Sequence, residues 1–312
     1  MSAAPSGSAL PGRSPLAGLS ASFPVAGRLG RTVADYAALT KPKVQSLLLF
    51  TTVATMEVAG SPSVSLIALT CLGGYLSAGG AGAVNHYWDR DIDAQMKRTA
   101  SRPIPAGRIA PRAALGFGVA LAALSFLELS LFVNVLAASL ALAGFVGYVG
   151  VYTMWLKRRT PQNIVIGGAA GAIPPLVGWA ATRGSVSWTA VYLFAIVFYW
   201  TPPHFWALSL LMKSEYEKVS VPMMPVVRGE RETRRQIVLY TLLLYAISQL
   251  PFCAGGFGAI YLAASMTLGL AFVGGAVWLY RRADRGAALR LYLFSLAYLA
   301  LLFAAMVLDA KL

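Results

Sequence analysis

Apolar residues in this chain come in long unbroken runs rather than in alternation or on one helical face. The runs lie at about 44–60, 64–86, 113–129, 132–155, 162–182, 187–211, 237–255, 258–280 and 289–308. Each is close to the ~20 residues that carry an α-helix across a bilayer core. The pattern therefore predicts an all-α, polytopic membrane bundle of nine transmembrane helices around a central cavity, occupying residues 36–312. Residues 1–35 have no such run and are rich in Ala, Ser, Gly and Pro, so they are read as a disordered tail. That leader lacks a continuous apolar segment after its basic residues, which argues against a secretory signal. Its arginines, serines and scarcity of acids leave a mitochondrial transit peptide as the alternative.

The polar gaps then orient the bundle. Of 26 lysines and arginines, all but Arg183 and Lys311 fall in the tail or in alternate gaps, those after the second, fourth, sixth and eighth runs. Basic residues accumulate on the cytoplasmic side. The N-terminus is thus expected inside and the C-terminus outside, in a bacterial plasma membrane by preference. Composition agrees with this placement: 57% of residues are hydrophobic and 12% charged, against about a quarter charged in a soluble domain. The net charge of +14 is explained by loop positions, so no nucleic-acid face is implied. Cys71 and Cys253 have no partner spacing and read as small buried side chains.

Small residues recur every fourth position at Gly74, Ala78 and Gly82, and at Gly167 and Gly171, as in helices that pack closely in lipid. Pro174–Pro175 and Pro202–Pro203 are expected to interrupt the fifth and sixth runs. Carbonyls freed at such breaks are tolerated against protein or a water-filled cavity.

Chemistry concentrates where the second run ends, in Asn85-His-Tyr-Trp-Asp89-Arg-Asp91-Ile-Asp93. Asn85, Asp89 and Asp93 are four apart and share one helical face, while Asp91 points elsewhere. A row of oxygens suits magnesium, which binds through one or two carboxylates plus substrate phosphates. A solvated helix end balanced by nearby cations fits the same spacing. Lys97, Arg98, Arg102 and Arg108 follow at once and match phosphate chemistry. A related mixture, Lys213-Ser-Glu215-Tyr216-Glu217-Lys218, follows the sixth run, four runs later. The spacing hints at a duplicated four-helix unit with both acidic loops flanking one cavity mouth. His86 and His204, taken bare, read as structural side chains.

These segments together resemble the intramembrane prenyltransferases of the UbiA superfamily. The likeness rests first on Asn85-x-x-x-Asp89-x-x-x-Asp93 with Arg98-Thr and Arg102-Pro. Leu39-Thr-Lys-Pro-Lys43, Tyr152-Thr-x-Trp-Leu-Lys157-Arg158, Gln162-Asn-Ile-Val-Ile-Gly-Gly, Pro174-Pro-x-x-Gly-Trp179, Thr201-Pro-Pro-His204-Phe-Trp and Pro222-Met-Met-Pro narrow it to the heme-farnesylating branch. The resemblance implies farnesyl diphosphate and heme B as substrates, Mg2+ as cofactor and heme O as product. It implies Asn85, Asp89, Asp93 and Glu215 as metal ligands, with Asp89, Asp93, Glu215 and Lys157 as catalytic groups. It also implies Lys43, Arg98, Arg102, Lys157, Arg158 and Lys213 on the diphosphate. Glu215-Tyr216 stands where many relatives have two aspartates. Heme contacts are expected from His204, His86, Tyr152 and Tyr216. Membrane lipid surrounds such an enzyme, and a heme A synthase or oxidase assembly protein would receive its product. The competing readings are a sister enzyme with another aromatic acceptor such as 4-hydroxybenzoate, a transporter, and a heme carrier. The polar clusters sit at the inside loops and not at the midplane, which weighs against transport.

Overall fold

The computed structural model describes residues 25–312. In chain order the helices are α1 (Val25–Leu39), α2 (Pro42–Ala59), α3 (Val64–Trp88), α4 (Arg90–Gln95), α5 (Pro111–Phe132) and α6 (Val135–Val146). A π-helical turn (Gly147–Leu156) extends α6 and is followed by α7 (Asn163–Gly171) and α8 (Ile173–Arg183). Then come α9 (Trp188–Leu211), α10 (Lys213–Lys218), α11 (Met224–Val227), α12 (Gly229–Ile247), α13 (Leu250–Cys253), α14 (Ala259–Arg282) and α15 (Arg285–Lys311). No strand occurs among the described residues.

Local chemistry starts and stops these helices where the pattern demands. Ser63, Asn134, Ser187 and Asp284 each accept a backbone N–H from the first turn of α3, α6, α9 and α15. Such caps satisfy donors that a helix N-terminus otherwise leaves bare. Gly184, at φ 66°, ends α8 in the left-handed conformation that glycine adopts without strain.

Seven helical stretches are long and apolar enough to cross a membrane by length and composition. They correspond to the second to fifth and seventh to ninth apolar runs. The remaining two runs form α2 and α9, which carry their polar and proline residues inward: Gln45, Thr51, Thr52 and Thr55 on α2, and Thr201, Pro202, Pro203 and His204 on α9, are all buried. Polar residues facing protein, not lipid, lower the hydropathy of a helix without exposing it.

The interior has two main centres, with smaller clusters around Leu39 and Ala83 and around Val84 and Val149. A large cluster joins α9, α12, α14 and α15 around Trp206, Tyr261, Phe272, Tyr298 and Phe303. A smaller one joins α2, α5, α6 and α8 around Met56, Leu129 and Val177. Both α3 and α9 are followed at once by a six-residue helix, α4 and α10. This agrees with the duplicated arrangement read from the acidic loops.

Four expectations change. Helix α1 begins at Val25, inside the stretch read as tail, and residues 1–24 lie outside the described residues. Docking explains the order: the Tyr36 ring meets Phe117 edge-on at 4.9 Å, and Asp35 pairs with Arg108 at 2.9 Å. The fifth run does break, at Ala172, but α9 continues through Pro202–Pro203. Both prolines are buried against neighbouring helices, and that packing holds a helix whose ladder lacks two donors. Cys253 is exposed and Cys71 half-buried.

The close seam of α3 is also not its Gly74–Ala78–Gly82 stripe alone. Contact with α5 runs through Gly73 and Gly80: a Cβ on Gly80 would stand 2.6 Å from the Gly118 carbonyl oxygen. Gly80→Ala is therefore expected to destabilise the fold by about 1–3 kcal/mol through overpacking. Gly116→Ala, on the same α5 but with no atom within 4 Å of the added methyl, should be near neutral. Thermal unfolding in detergent measures both, and equal effects would refute the seam.

Candidate functional site

Five pieces of chain meet at one end of the bundle: the α1–α2 junction, the C-terminal end of α3 with α4, the loop after α4, the π-turn, and α10. They enclose a cleft of about 120 Å³ lined by Asn85, Asp93, Arg98, Arg102, Lys157 and Lys41, with Tyr148, Tyr152, Tyr216 and three apolar residues completing its wall. The two acidic loops do meet, since Glu215 Oε2 accepts the Lys97 backbone N–H at 2.8 Å.

Asn85 and Asp89 stack one turn apart as the four-residue spacing requires, with Asn85 Nδ2 donating to Asp89 Oδ2 at 2.7 Å. Asn85 is further gripped by Thr153 Oγ1 at 3.2 Å and by Lys41 Nζ at 2.6 Å on its carbonyl oxygen. Lys157 donates to Asp89, whose side chain is 1% exposed. Asp93, 4% exposed, takes Arg102 at 2.6 Å. Each buried carboxylate thus has its own cation, which is what makes burial of the charge tolerable. Asp91 lies off this face: it is 57% exposed and held by both terminal nitrogens of Arg158 at 2.7 Å. That fork pulls the Asp91 carboxyl down to about 2.

The π-turn sets the far wall. Its widened ladder, in which the Lys157 N–H reaches the Tyr152 carbonyl at 2.9 Å, brings Tyr148, Tyr152 and Lys157 to the cleft and Thr153 to Asn85. Such turns inside α-helices commonly mark functional positions. Sequence periodicity has no signal for them.

Several predicted residues stand elsewhere. Lys43 is exposed and absent from the cleft, and its place is taken by Lys41, two residues earlier. Lys41 caps α2 in the left-handed conformation at φ 54° and reaches inward to Asn85 and Tyr148. Burial pushes its ammonium down to about 7, with repulsion from Arg102 and Lys157 added. The Leu39-Thr-Lys-Pro motif held the clue, since Pro42 at the first helical position makes Lys41 the junction residue. Lys213 faces a different cleft, Arg158 forks onto Asp91 while standing 3.7 Å from Asp89 Oδ1, and Glu215 holds backbone. Among the described residues no three His, Cys, Asp or Glu side chains group closely enough to cage a metal.

A magnesium ion shared with a bound phosphate needs less. Asp89 Oδ1 is buried without a hydrogen bond, with Arg158 Nη2 the cation facing it at 3.7 Å, so it keeps a lone pair that a metal could take up beside Asn85 and Lys157. The donor set at this cleft, two carboxylates and an amide, fits an ion that completes its shell with phosphate oxygens and water.

The histidines separate. His86 is buried with neither ring nitrogen hydrogen-bonded. His204 lies outside the cleft lining, stacked between Trp200 at 4.3 Å and Tyr292 at 4.8 Å. Its Nδ1 meets Ser295 Oγ at 2.7 Å, and the Ser295 hydroxyl already donates to the Tyr292 carbonyl at 2.6 Å. The proton between ring and serine therefore belongs to Nδ1, which leaves Nε2 with a bare lone pair.

Comparison with known proteins follows the same lines. The family model described as the UbiA prenyltransferase family matches residues 47–303. The chain is 55% identical over 284 residues to a protoheme IX farnesyltransferase of Symbiobacterium thermophilum, covering 90% of this chain and 95% of that one. It is 56% identical over 279 residues to the protoheme IX farnesyltransferase of Chloroflexus aurantiacus, covering 89% of this chain. The chain spans about half the length of that relative, 48%. Among solved structures, a digeranylgeranylglyceryl phosphate synthase superposes with a TM-score of 0.75 at 19% identity, over 90% of this chain and all of that one. A UbiA homolog from Archaeoglobus fulgidus bound to DMAPP and Mg2+ superposes with 0.67 at 16% identity, over 87% and 99%. These likenesses establish the fold.

Proposed function

The chain belongs to the UbiA prenyltransferase family, and from that premise we propose that it transfers the farnesyl group of farnesyl diphosphate to a vinyl group of protoheme IX. Water adds in the same reaction, giving heme O and diphosphate. The observation that carries this reading is the 55% identity to a protoheme IX farnesyltransferase across 95% of that protein's length.

The cleft's chemistry is consistent with the first half of that reaction. Lys41, Arg98, Arg102 and Lys157 line it with few acids, and three tyrosines offer hydroxyls beside them. Heterolysis of the allylic C–O bond leaves negative charge on diphosphate, and donors fixed around that charge lower the barrier. Mg2+, held by Asp89 and Asp93 with Asn85, would supply Lewis-acid stabilisation of the leaving diphosphate. Lys157 and Arg102, paired with the two carboxylates, also line the cleft where phosphate oxygens would bind. Glu215 serves this site by holding the loop after α4 through Lys97, and Tyr216 by presenting its ring to the cleft.

In the second half the vinyl π electrons bond to the farnesyl carbon, and the new cation beside the porphyrin is captured by water, which loses a proton to leave the hydroxyl. Early water would intercept the farnesyl cation instead, so apolar walls are required. For the acceptor, His204 is suited to ligate iron: Ser295 Oγ holds its Nδ1–H, and such a hydrogen bond on one ring nitrogen orients an imidazole that ligates through the other. Tyr152, Tyr216 and His86 are the remaining heme-side assignments. We further propose that the cleft end faces the bacterial cytoplasm, on the charge asymmetry of the loops, and that a heme A synthase or oxidase assembly factor takes the product.

The test combines purified protein, heme B, farnesyl diphosphate and Mg2+, with the porphyrin product identified by mass. Hydroxyethylfarnesyl heme is expected, and chelation of Mg2+ should abolish it. A prenylated 4-hydroxybenzoate formed in preference would overturn the acceptor while keeping the family.

A further inference from the structure

A second cleft of about 260 Å³ opens at the same end of the bundle, on the opposite side of α10. Its rim carries the cations Lys213, Arg234 and Arg285 together with the acids Glu217, Glu230 and Asp284, and its floor is apolar, formed by Leu210, Leu279 and Ala288 among others. Three features set it apart from an ordinary charged surface. Arg234 is 13% exposed, and its Nε is buried with no acceptor. Buried donors are almost always paired, so an orphan on the rim of a cleft calls for a ligand oxygen. The acids beside it are held loosely: Glu230 stands 3.3 Å from Lys213 and 3.5 Å from Arg234, and Glu217 3.6 Å from Lys213. Arg285, at the N-terminal end of α15, makes no ion pair among the described residues.

We propose that this cleft is a phosphate-binding site, and that its apolar floor suits the headgroup and first acyl carbons of an anionic phospholipid in the adjoining leaflet. Arginine forks match phosphate oxygens in two-point contact, and an acceptor there satisfies Arg234 Nε. Basic pockets between membrane helices at headgroup level are suited to anionic lipid. Free diphosphate offers the same oxygens without the tail. Since α10 turns Lys213 and Glu217 to this cleft and Tyr216 to the first, an occupant here braces the wall of the prenyl-diphosphate cleft.

The experiment uses full-length protein in phosphatidylcholine nanodiscs, with and without phosphatidylglycerol, and reads retained lipid by native mass spectrometry. A parallel arm titrates inorganic diphosphate in phosphatidylcholine alone and counts equivalents beyond the first cleft. Wild type should retain phosphatidylglycerol selectively. Arg234→Gln and Arg285→Gln should each weaken retention about fivefold, the effect of one interfacial cation. Glu230→Gln, which removes a competing acid, should strengthen it, and Arg281→Gln, an exposed cation outside the cleft, should leave it unchanged. If instead only the extra diphosphate equivalent responds to these substitutions, the phosphate site stands with free diphosphate as its source. If neither probe responds to Arg285→Gln or Glu230→Gln in protein that melts as wild type does, the site is refuted. Arg285 and Glu230 are exposed enough for those variants to fold even where Arg234→Gln does not.

Discussion

Asp89→Asn is expected to lower prenyl transfer by about 10²–10³-fold, the usual size of losing one fixed electrostatic partner in a transition state. The substitution keeps the side chain's shape and its hydrogen bond with Asn85, yet it removes the charge that faces Lys157 and Arg158 and the carboxylate oxygen suited to magnesium. Lys157 is 14% exposed, so the variant also strands a largely buried cation, and stability should fall with activity. The double variant Asp89→Asn with Lys157→Met separates the two effects. It should recover the melting temperature, because no charge is left unpaired, and recover no turnover. Asp91→Asn is the control: its carboxylate is 57% exposed and bonded to Arg158 away from the cleft, so activity should drop only a few-fold, a surface-pair effect. Single-turnover transfer measured at saturating magnesium decides the matter. Equal activity of Asp89→Asn and wild type would remove the metal and leaving-group role from this face.

The second large effect is expected at the α1–α2 junction. Lys41→Met should cut turnover about 100-fold and weaken farnesyl diphosphate binding, since an arriving diphosphate favours the charged form of the buried Lys41 amine, which then acts on the charge that develops during ionisation. Lys43→Met, only two residues away, should remain near wild type because its side chain is exposed outside the cleft. Lys41→Arg should not rescue fully: the ammonium makes a single point contact with Asn85 Oδ1 at 2.6 Å, a geometry that a planar, forked guanidinium does not reproduce. A reversed ranking, with Lys43→Met the more damaging, would show that the junction turns over when substrate arrives.

The same pair illustrates what could be read along the chain. By resemblance the Lys-Pro-Lys motif places Lys43 at the diphosphate, whereas the lysine that lines the cleft is Lys41. That depends on the left-handed turn at Lys41, which swings one side chain inward and leaves the next outside. The stacking of Asn85 on Asp89 was legible, because a four-residue step is local geometry, whereas Asp93 lies past the break at Asp89, on α4. Glu215 was legible as an acid near the site and not as a clasp on Lys97, since its partner lies 118 residues away. The π-turn that delivers Tyr148, Tyr152 and Lys157 has no compositional signature. Both prolines of α9 promised a break that packing prevented.

Run length and polarity by themselves determined the membrane class, the helix positions and the face bearing Asn85 and Asp89, because bilayer thickness and the 3.6-residue turn act on contiguous residues. Tertiary structure decided which cation meets which carboxylate, how His204 is protonated against Ser295, and that a second charged cleft shares α10 with the first. Those outcomes depend on distances between segments far apart in the chain. Helix packing sets such distances, and no periodicity along the sequence records them.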